Sequence, residues 1–532
     1  MKEKIKYMKV IISMSGLSSR FSNAGYTIPK FMIEIDGKRV IEHIIDLYPK
    51  DSDFLFIIND KHAEDTDIVN LLEGSVDKKD IVVIPRHKKG PVFSIQNFEE
   101  YIDDDEQVVI NYCDFSMYWD YNDFEKYVNE TECDGCVVCY TGFHPHMLGS
   151  DNYAFCRTDG PKELEIREIR EKQPFTEDKM SEFASTGTYY FKKGSYVKKY
   201  FNELIEKDIN INCEYYVSLV HNLLIEDGLV NLVYEIPHML QWGTPTDVSE
   251  YRQWSNYYRR IIDGQNKVNI PNCVTVFPMA GWGSRFSKEG YDTPKPCIPI
   301  NGSPMFEQAL KCLPTTSNTI FGSLKSHREL FILEDFGEVV WLDDVLPGQA
   351  CTTEKIVNKI NDPDTSILVS ACDNGILYDA SKFISLVNNL DNDIIVWSYR
   401  NNYTSYYNPN AYSWLDVDKE NIIRKVNVKY FKGDNPLDEY AIVGTMFFRN
   451  KDIYNTSLTR LYEKNIRTNN EFYIDNLLNE AIELGYIVRN FEVDQYICWG
   501  TPNDLKTYEY WQRFFNKVNW HPYEYDKDYF TN

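Results

Sequence analysis

Residues 10–38 of this chain read VIISMSGLSSRFSNAGYTIPKFMIEIDGK, and residues 274–303 read VTVFPMAGWGSRFSKEGYDTPKPCIPINGS. Both segments contain an apolar run, a Gly- and Ser-containing turn, an arginine and a later lysine in the same order. They match at one offset of 265 residues, which pairs Gly16 with Gly281, Arg20 with Arg285 and Lys30 with Lys295. A match of this length indicates an internal repeat, and the repeat decides the architecture.

The repeat continues along the chain in the same order. The segment VVINYCDFSMYWD, with Asp114, returns as ILVSACDNGILYD, with Asp373, at an offset of 259 residues. STGTYYF returns as IVGTMFF, and QWGTPTD returns as CWGTPND, both at an offset of 257 residues. A repeat of this size is a whole domain rather than a solenoid unit. The sequence therefore predicts two tandem domains, residues 1–266 and 267–532, divided in the Gly-, Asn- and Pro-rich stretch at 262–272.

Each copy alternates short β-branched runs with longer helical patterns. In the first copy, a strand and the Gly-containing turn precede the helical pattern VIEHIIDLY (40–48) and the strand-like run DFLFIIN (53–59). This alternation predicts an α/β fold with two tandem Rossmann-like domains, each a mostly parallel mixed sheet flanked by helices. Ligands of such sheets bind at the carboxyl ends of the strands, where the turn and the Asp-bearing segment are both expected.

Composition excludes several classes of function. The formal net charge is −25, with 56 basic and 81 acidic residues, so most of the surface would repel a nucleic-acid backbone. No uncharged apolar stretch reaches the roughly 20 residues that a membrane-spanning helix needs. The chain shows no secretory signal, and its twelve cysteines are then expected to be reduced thiols in the cytoplasm. Cys133, Cys136 and Cys139 lie in a strand-like segment and are expected to serve packing.

The turn after the first strand is the first candidate site in each copy. Glycines let the backbone approach a ligand, successive N–H groups can bind phosphate oxygens, and an arginine supplies paired donors to pyrophosphate. A short turn of this kind is also common as a purely structural feature. The candidate nucleotide-binding residues here are Gly16, Ser18, Ser19, Gly281, Gly283 and Ser284, beside Arg20 and Arg285.

A lysine follows the arginine by ten residues in both copies, as Pro29-Lys30 and Pro294-Lys295. The pattern G-x-G-x-R-F…G-Y…P-K resembles the nucleoside triphosphate signature of sugar-phosphate nucleotidyltransferases, and the resemblance covers essentially the whole of each copy. It implies that the loop binds the triphosphate, that Arg20 and Arg285 hold the leaving pyrophosphate, and that Lys30 and Lys295 neutralise the transferring phosphate. The first copy departs from the signature at Ser18, where a second glycine is expected.

Asp114 and Asp373 follow apolar strands at matching places. Such an aspartate is often only a turn or helix-cap residue, but the resemblance implies that it binds a catalytic Mg²⁺, a hard cation suited to carboxylate oxygen. The family commonly adds a second metal-binding aspartate two residues before the glycine of the W-G-T-P-x-D element. Gln241 and Cys498 occupy that position here, so another acid, such as Glu214 or Glu471, is an alternative ligand.

Two further elements concern the acceptor and the base. Lys172 resembles the family's E-K-P lysine, which holds the acceptor phosphate, and it lies fifteen residues before Gly187, as Lys429 does before Gly444. In the second copy Val428 replaces the glutamate and Phe431 the proline. A solvated surface lysine is the simpler alternative. The residues in the region where the family recognises the base are Gly90, Gly348 and Gln349, for which a plain loop is the alternative.

The resemblance implies a Mg²⁺-dependent transfer of a nucleoside monophosphate from an NTP to a sugar phosphate or similar phosphate monoester, with release of pyrophosphate. It also implies a place in surface-polysaccharide precursor synthesis, and the repeat allows two separate activities. A nucleotide-sugar glycosyltransferase is the first alternative, although such enzymes typically carry an Asp-x-Asp pair that is missing at Asp114 and Asp373. A regulatory protein that binds nucleotide in one inactive copy is the second.

Overall fold

A computed structural model describes residues 8–160, 162–330 and 332–531. Its contacts divide the chain into two compact units. The first runs to Arg252 and also includes Lys517–Trp520, and the second comprises Gln253–Asn516 and His521–Asn532. The division at 266/267, which marks where the sequence repeat restarts, stays a prediction about homology. No helix in the described part of the chain is long and apolar enough to cross a membrane.

The first unit is a nine-stranded mixed sheet with helices and two small two-stranded sheets. Its strands are β1 (Lys9–Met14), β2 (Glu34–Ile35), β3 (Lys38–Arg39), β4 (Asp53–Asn59), β5 (Lys78–Ile84), β6 (Val108–Tyr112), β7 (Phe115–Tyr118), β8 (Gly135–Tyr140), β9 (Ala154–Thr158), β10 (Ile166–Glu171), β11 (Phe183–Phe191), β12 (Asn231–Glu235) and β13 (His238–Gln241). Its helices are α1 (Ser19–Asn23), α2 (Val40–Ile45), α3 (Asp60–Asp65), α4 (Ile68–Ser75), α5 (Gly90–Gln96), α6 (Tyr121–Thr131), α7 (Gly194–Glu206), α8 (Val217–Glu226) and α9 (Pro245–Ile261), which continues into the second unit.

The second unit repeats this order. Its strands are β14 (Asn269–Pro278), β15 (Pro299–Ile300), β16 (Ser303–Pro304), β17 (Thr315–Leu324), β18 (Glu338–Leu342), β19 (Ser366–Val369), β20 (Asn374–Leu377), β21 (Ile394–Tyr399), β22 (Trp414–Val417), β23 (Ile423–Asn427), β24 (Tyr440–Phe448), β25 (Val488–Glu492) and β26 (Gln495–Cys498). Its helices are α10 (Ser284–Lys288), α11 (Met305–Lys311), α12 (Gln349–Val357), α13 (Ala380–Asn388), α14 (Tyr403–Tyr407), α15 (Lys451–Glu463), α16 (Ile474–Glu483) and α17 (Pro502–Lys517).

The two sheets have the same topology. In the first, β5, β4, β1, β6, β11, β8 and β12 are neighbours in that order, and in the second, β18, β17, β14, β19, β24, β21 and β25 are. Strands β1, β4, β5 and β6 are parallel, whereas β11 runs antiparallel to β6, β8 and β9. The predicted class, tandem α/β domains with mostly parallel mixed sheets between helices, is confirmed.

The central strand of the first sheet is apolar because it is covered on both faces. All six residues of β1 are buried, and Ile11 belongs to a core that also takes in residues from α5, α7 and α8. Cys133, Cys136 and Cys139 are likewise buried, as packing residues are. Strand β1 delivers the Gly-containing turn and β6 delivers Asp114 at adjacent carboxyl ends, because the two strands are parallel neighbours.

Candidate active site

One cavity of about 500 Å³ in the first unit brings the predicted residues of that copy together. It opens where β1 and β6 end, as the strand order predicts. The predicted residues that line it are Gly16, Ser18, Ser19, Arg20, Lys30, Gly90, Asp114, Lys172 and Gly187. These positions come from segments more than 150 residues apart in the chain, so their convergence is a result of the fold. Their individual chemical roles stay predictions.

The Gly-containing turn has the same backbone in both units despite the serine. Ser18 has φ 53° and Gly283 has φ 62°, both in the left-handed region. In the first unit, the Ser18 hydroxyl accepts a hydrogen bond from the Lys30 backbone N–H at 3.2 Å. In the second, a Cβ atom at Gly283 would come within 3.0 Å of the Lys295 Cβ. The serine therefore keeps the shape of the turn and ties it to the lysine segment.

The predicted phosphate lysine and the predicted metal-binding aspartate form an ion pair in each unit. Lys30 Nζ lies 2.6 Å from Asp114 Oδ2, and Lys295 pairs with Asp373 in the same way. Burial alone would lower the pKa of Lys30, but the charge and hydrogen bond of Asp114, together with Cys113, outweigh burial and raise that pKa. Burial would raise the pKa of Asp373, and Lys295 outweighs it and lowers that pKa. The Lys30 ammonium and the Asp373 carboxylate are therefore both favoured in their charged forms.

A second aspartate that the sequence analysis missed lies close to each pair. Thr244 donates to Asp247 Oδ2 from its backbone N–H at 2.8 Å and from its hydroxyl at 2.6 Å, which forms a capping box at the start of α9. Burial, with repulsion from Asp114, raises the pKa of Asp247 to about 6. Asp504 stands at the matching place, and burial raises its pKa too. In the sequence, the T-P-x-D spacing at 244–247 and 501–504 is the pattern that would have predicted these two aspartates as helix-capping residues.

The residues of the first unit fit a magnesium ion. A Cβ atom at Gly243 would lie 2.7 Å from Gln241 Nε2 and 3.3 Å from Asp114 Oδ2, so both side chains converge there. Mg²⁺ is usually held by one or two carboxylates together with substrate phosphates, and it accepts amide oxygen. Within the described residues, no group of three or more His, Cys, Asp or Glu forms a metal-binding cluster. Asp114 and Gln241 are thus the residues that could hold such a cation together with substrate phosphates, and magnesium binding at Asp114 stays a prediction.

The second unit offers a poorer donor set. A Cβ atom at Gly500 would lie 2.9 Å from Asp373 Oδ2 and 3.2 Å from Cys498 Sγ, so a thiol takes the place of Gln241. Burial raises the pKa of Cys498, which keeps the thiol protonated. Thiols suit soft metals rather than Mg²⁺. The second copy matches the loop signature better, but its residues fit magnesium less well than those of the first.

The alternative ligand Glu214 belongs to a different group of side chains. It accepts a hydrogen bond from the Tyr216 hydroxyl, and Lys172 Nζ donates to that hydroxyl at 2.5 Å. Lys172 has φ 58° and Lys429 has φ 51°. A left-handed backbone at a residue other than glycine costs of the order of 1–3 kcal/mol and occurs mainly where the surrounding structure enforces it. Both lysines are therefore held in a specific position.

The glycines fifteen residues after these lysines are required by their left-handed backbone, and Gly187 also by close contacts. Gly187 has φ 100° and lies where the pairing of β11 with β8 shifts register; a Cβ there would come within 3.1 Å of the Tyr112 and Phe115 rings. Gly444 has φ 98° and lies against Ala371 instead. Tyr112 and Tyr189 line the first cavity, and Ala371 and Met446 occupy the matching positions of the second copy. The side chains at these matching positions therefore differ between the two copies.

The glycines in the predicted base region allow two backbone segments to pack closely. A Cβ at Gly90 would lie 2.7 Å from backbone atoms of Tyr215, and one at Gly348 would lie 2.5 Å from backbone atoms of Phe472. Gln349 is exposed at the start of α12. A structural reason for both glycines is thus present, and base recognition at Gly90, Gly348 and Gln349 stays a prediction.

Comparison with known proteins adds solved structures that resemble about half of the chain. No family model matches this sequence, and no curated protein does. A nucleoside-diphosphate-sugar pyrophosphorylase from Vibrio cholerae RC9 is 21% identical over 46% of this chain and 98% of its own, with a TM-score of 0.38. An inositol-1-phosphate CTP transferase from T. maritima is 19% identical over 48% and 99%, with a TM-score of 0.37.

A UDP-glucose pyrophosphorylase complexed with UDP-glucose is 17% identical over 48% of this chain and 99% of its own, with a TM-score of 0.39. Each of these proteins is about as long as one copy of the repeat. Identities of this size bear on the fold alone. The expected resemblance to sugar-phosphate nucleotidyltransferases is confirmed over about half of the chain.

Proposed function

We propose that this chain is a Mg²⁺-dependent nucleotidyltransferase with one active site in each unit. A phosphate oxygen of the acceptor attacks the α-phosphorus of an NTP and forms a new P–O bond. The bond from that phosphorus to the oxygen bridging to the β-phosphorus breaks, and pyrophosphate leaves with the electron pair. The observation that carries the proposal is the cavity of the first unit, which is lined by Arg20, Lys30, Asp114 and Lys172 together.

The arrangement of charge in the cavity suits this reaction. Two polyanionic substrates repel each other, so the protein has to place cations around both of them. Arg20 is exposed at the start of α1, directly after the turn, where its guanidinium can bind the leaving pyrophosphate. Lys30 is half-buried beside Asp114. Lys172 is held by Tyr216 next to Glu171 and is suited to the acceptor phosphate. A bound Mg²⁺ would neutralise phosphate charge from the side of Asp114 and Gln241.

The two units are proposed to use different acceptors. Tyr112 and Tyr189 narrow the acceptor end in the first, whereas Ala371 and Met446 stand at the matching positions of the second. Phosphorylated sugars are the proposed acceptors. Other phosphate monoesters offer the same attacking phosphate oxygen. The products would be activated precursors for surface polysaccharide, made in the cytoplasm.

Pyrophosphate release from each common NTP with a panel of phosphate monoesters tests the proposal. Release that requires both an NTP and a phosphate monoester supports it. Transfer of sugar from a nucleotide sugar, without use of an NTP, would instead indicate a glycosyltransferase. Metal-dependent NTP binding without any product in either unit would indicate a regulatory protein.

Removal of the metal is expected to abolish turnover while the fold persists. A chelator should reduce pyrophosphate release to background, because Asp114 and Gln241 alone cannot neutralise the triphosphate, and added Mg²⁺ should restore it. Unfolding monitored by circular dichroism should be unchanged by the chelator alone, since Lys30 already pairs with Asp114 without metal. Full activity in the chelator would contradict the metal assignment.

Cys498→Asp is expected to strengthen magnesium use by the second unit. The change gives Asp373 a second carboxylate at the Gly500 turn, so the Mg²⁺ concentration for half-maximal activity should fall by about tenfold, or roughly 1.4 kcal/mol. The activity to follow is the one that Asp373→Asn removes. Cys498→Ser is the matched control, because it keeps the size of the side chain without adding charge. An unchanged or higher Mg²⁺ requirement in Cys498→Asp would show that this position does not face the metal.

A further inference from the structure

A buried carboxylate and a hydroxyl lie beside the acceptor-side lysine of the first unit. Glu171, the last residue of β10, precedes Lys172, and its Oε2 accepts a hydrogen bond from Ser218 Oγ on α8 at 2.6 Å. Burial raises the pKa of Glu171, and the Ser218 hydrogen bond and the charge of Lys172 partly offset this. The strand thus supplies the acid and the helix supplies the hydroxyl.

In the second unit the acid lies on the helix, and the hydroxyl lies beside a different strand. At the offset of 257 residues, Glu171 has become Val428 and Ser218 has become Asp475, which lies on α16. Asp475 Oδ2 accepts a hydrogen bond from Ser413 Oγ at 2.6 Å. The helix now supplies the acid, and the hydroxyl comes from the residue that precedes β22.

Strand register shows which residue of the first unit corresponds to Ser413. Phe155 pairs with Arg170 in the first unit, and Trp414 pairs with Asn427 in the second. Since Arg170 and Asn427 match at the offset of 257, Ser413 corresponds to Ala154. Three positions therefore differ together: Ala154, Glu171 and Ser218 are replaced by Ser413, Val428 and Asp475. Each unit retains one carboxylate and one serine in contact.

The Ser413–Asp475 pair is hydrogen-bonded to the backbone of Lys429. The Ser413 hydroxyl, which donates to Asp475, also accepts from the Lys429 backbone N–H at 3.3 Å. Lys429 has φ 51°, so its conformation has to be enforced by its surroundings. Ser413 is 2% exposed and Asp475 is 7% exposed, so water cannot readily take over either hydrogen bond. Burial raises the pKa of Asp475, and the charge of Lys429 partly offsets this.

We propose that Asp475, acting through Ser413, is the positioning residue of Lys429 and replaces, from the helix side, the carboxylate that Glu171 provides in the first unit. The importance of this for catalysis rests on the proposed function of the second unit. Val428 meanwhile packs against the core of that unit, whereas Glu171 lines the cavity of the first. The loss of the glutamate from the lysine motif is therefore compensated and does not indicate a decayed site.

The test places the carboxylate of the second unit at residue 428, the position that matches Glu171 of the first unit. Asp475→Ser should raise the KM for the phosphate acceptor by roughly tenfold to a hundredfold, as expected for loss of a buried charge-assisted hydrogen bond, with the KM for the NTP within about twofold. Asp475→Ser combined with Val428→Glu should recover most of the acceptor KM. Equal rises in both KM values, or a folded double variant that is no better than Asp475→Ser, would overturn the proposal.

A measurement independent of turnover accompanies the kinetics. Hydrogen–deuterium exchange of peptides that contain Lys429 should be faster in the milder Ser413→Ala, because the Lys429 N–H loses its buried acceptor. It should also be faster in Asp475→Ser, because the Ser413 hydroxyl loses the carboxylate that holds it in place. Unchanged exchange in both variants would overturn the positioning role even if the second unit proved inactive. Absence of any Asp373-dependent pyrophosphate release in the wild-type chain would instead sink the proposed function of that unit, with the exchange result still deciding the role of Asp475.

Discussion

Arg20→Ala is expected to slow pyrophosphate release by the first unit by roughly a hundredfold to a thousandfold, or about 2–4 kcal/mol of transition-state stabilisation. The guanidinium is exposed at the rim of the cavity, and its proposed partner is the pyrophosphate on which charge develops as the bond breaks. An interaction made mainly in the transition state affects kcat more than substrate binding. Single-turnover kinetics with saturating NTP and acceptor measure the effect.

The stability of the Arg20→Ala chain separates this role from packing. Because the side chain is exposed, its removal should change the free energy of unfolding by no more than about 0.5 kcal/mol. Arg20→Lys is the matched control: it keeps one charge but loses the paired donors, so it should recover only part of the rate. Arg285→Ala should reproduce the loss for the other substrate pair. An Arg20→Ala chain that melts early yet turns over normally per folded molecule would make the arginine structural.

The sequence predicted the parts of the site that lie at ends of strands. Periodicity and the repeat indicate where β1 and β6 stop, and parallel neighbours bring Gly16 and Asp114 to one edge. Apolar patterning could not predict which side chains then meet. The pairing of Lys30 with Asp114 joins residues 84 positions apart, and the left-handed turn at Lys172 depends on the strands around it. Other residues that line the predicted acceptor end, such as Tyr112 and Tyr216, carry no motif of their own.

The compact units and the sequence repeat group one short segment differently. The repeat assigns all residues after 266 to the second copy, whereas Lys517–Trp520 groups with the first unit in the structure. There the Trp520 ring lies 5.0 Å from the His43 ring, and its Nε1 donates to the Tyr251 hydroxyl. A repeat comparison cannot detect such a segment, because it has no counterpart at the end of the first copy. Halves cut at 266/267 would separate these residues, so single substitutions in the full chain are the better experiment.

Asp114→Asn and Asp373→Asn, made singly in the full chain, are each expected to remove one activity by about a thousandfold or more and leave the other within about twofold. A neutral amide is a weak ligand for Mg²⁺ and cannot balance the charge of Lys30 or Lys295, so both the metal and the lysine lose their partner. Each unit has its own turn, arginine, lysine and aspartate, and neither needs to borrow a group that handles the triphosphate. The measurement is initial-rate pyrophosphate release for every productive NTP and acceptor pair.

The pattern of loss decides between two separate sites and other arrangements. Asp362→Asn, at an exposed position of the second unit away from the carboxyl ends of the strands, is the matched control and should leave both activities unchanged. Two independent losses, each confined to one substrate pair, support a bifunctional chain. Loss of every activity from either single change would mean that the two units depend on each other for catalysis. If Asp373→Asn has no effect on any activity while Asp114→Asn removes all of them, only the first unit turns over, as its better magnesium donor set allows.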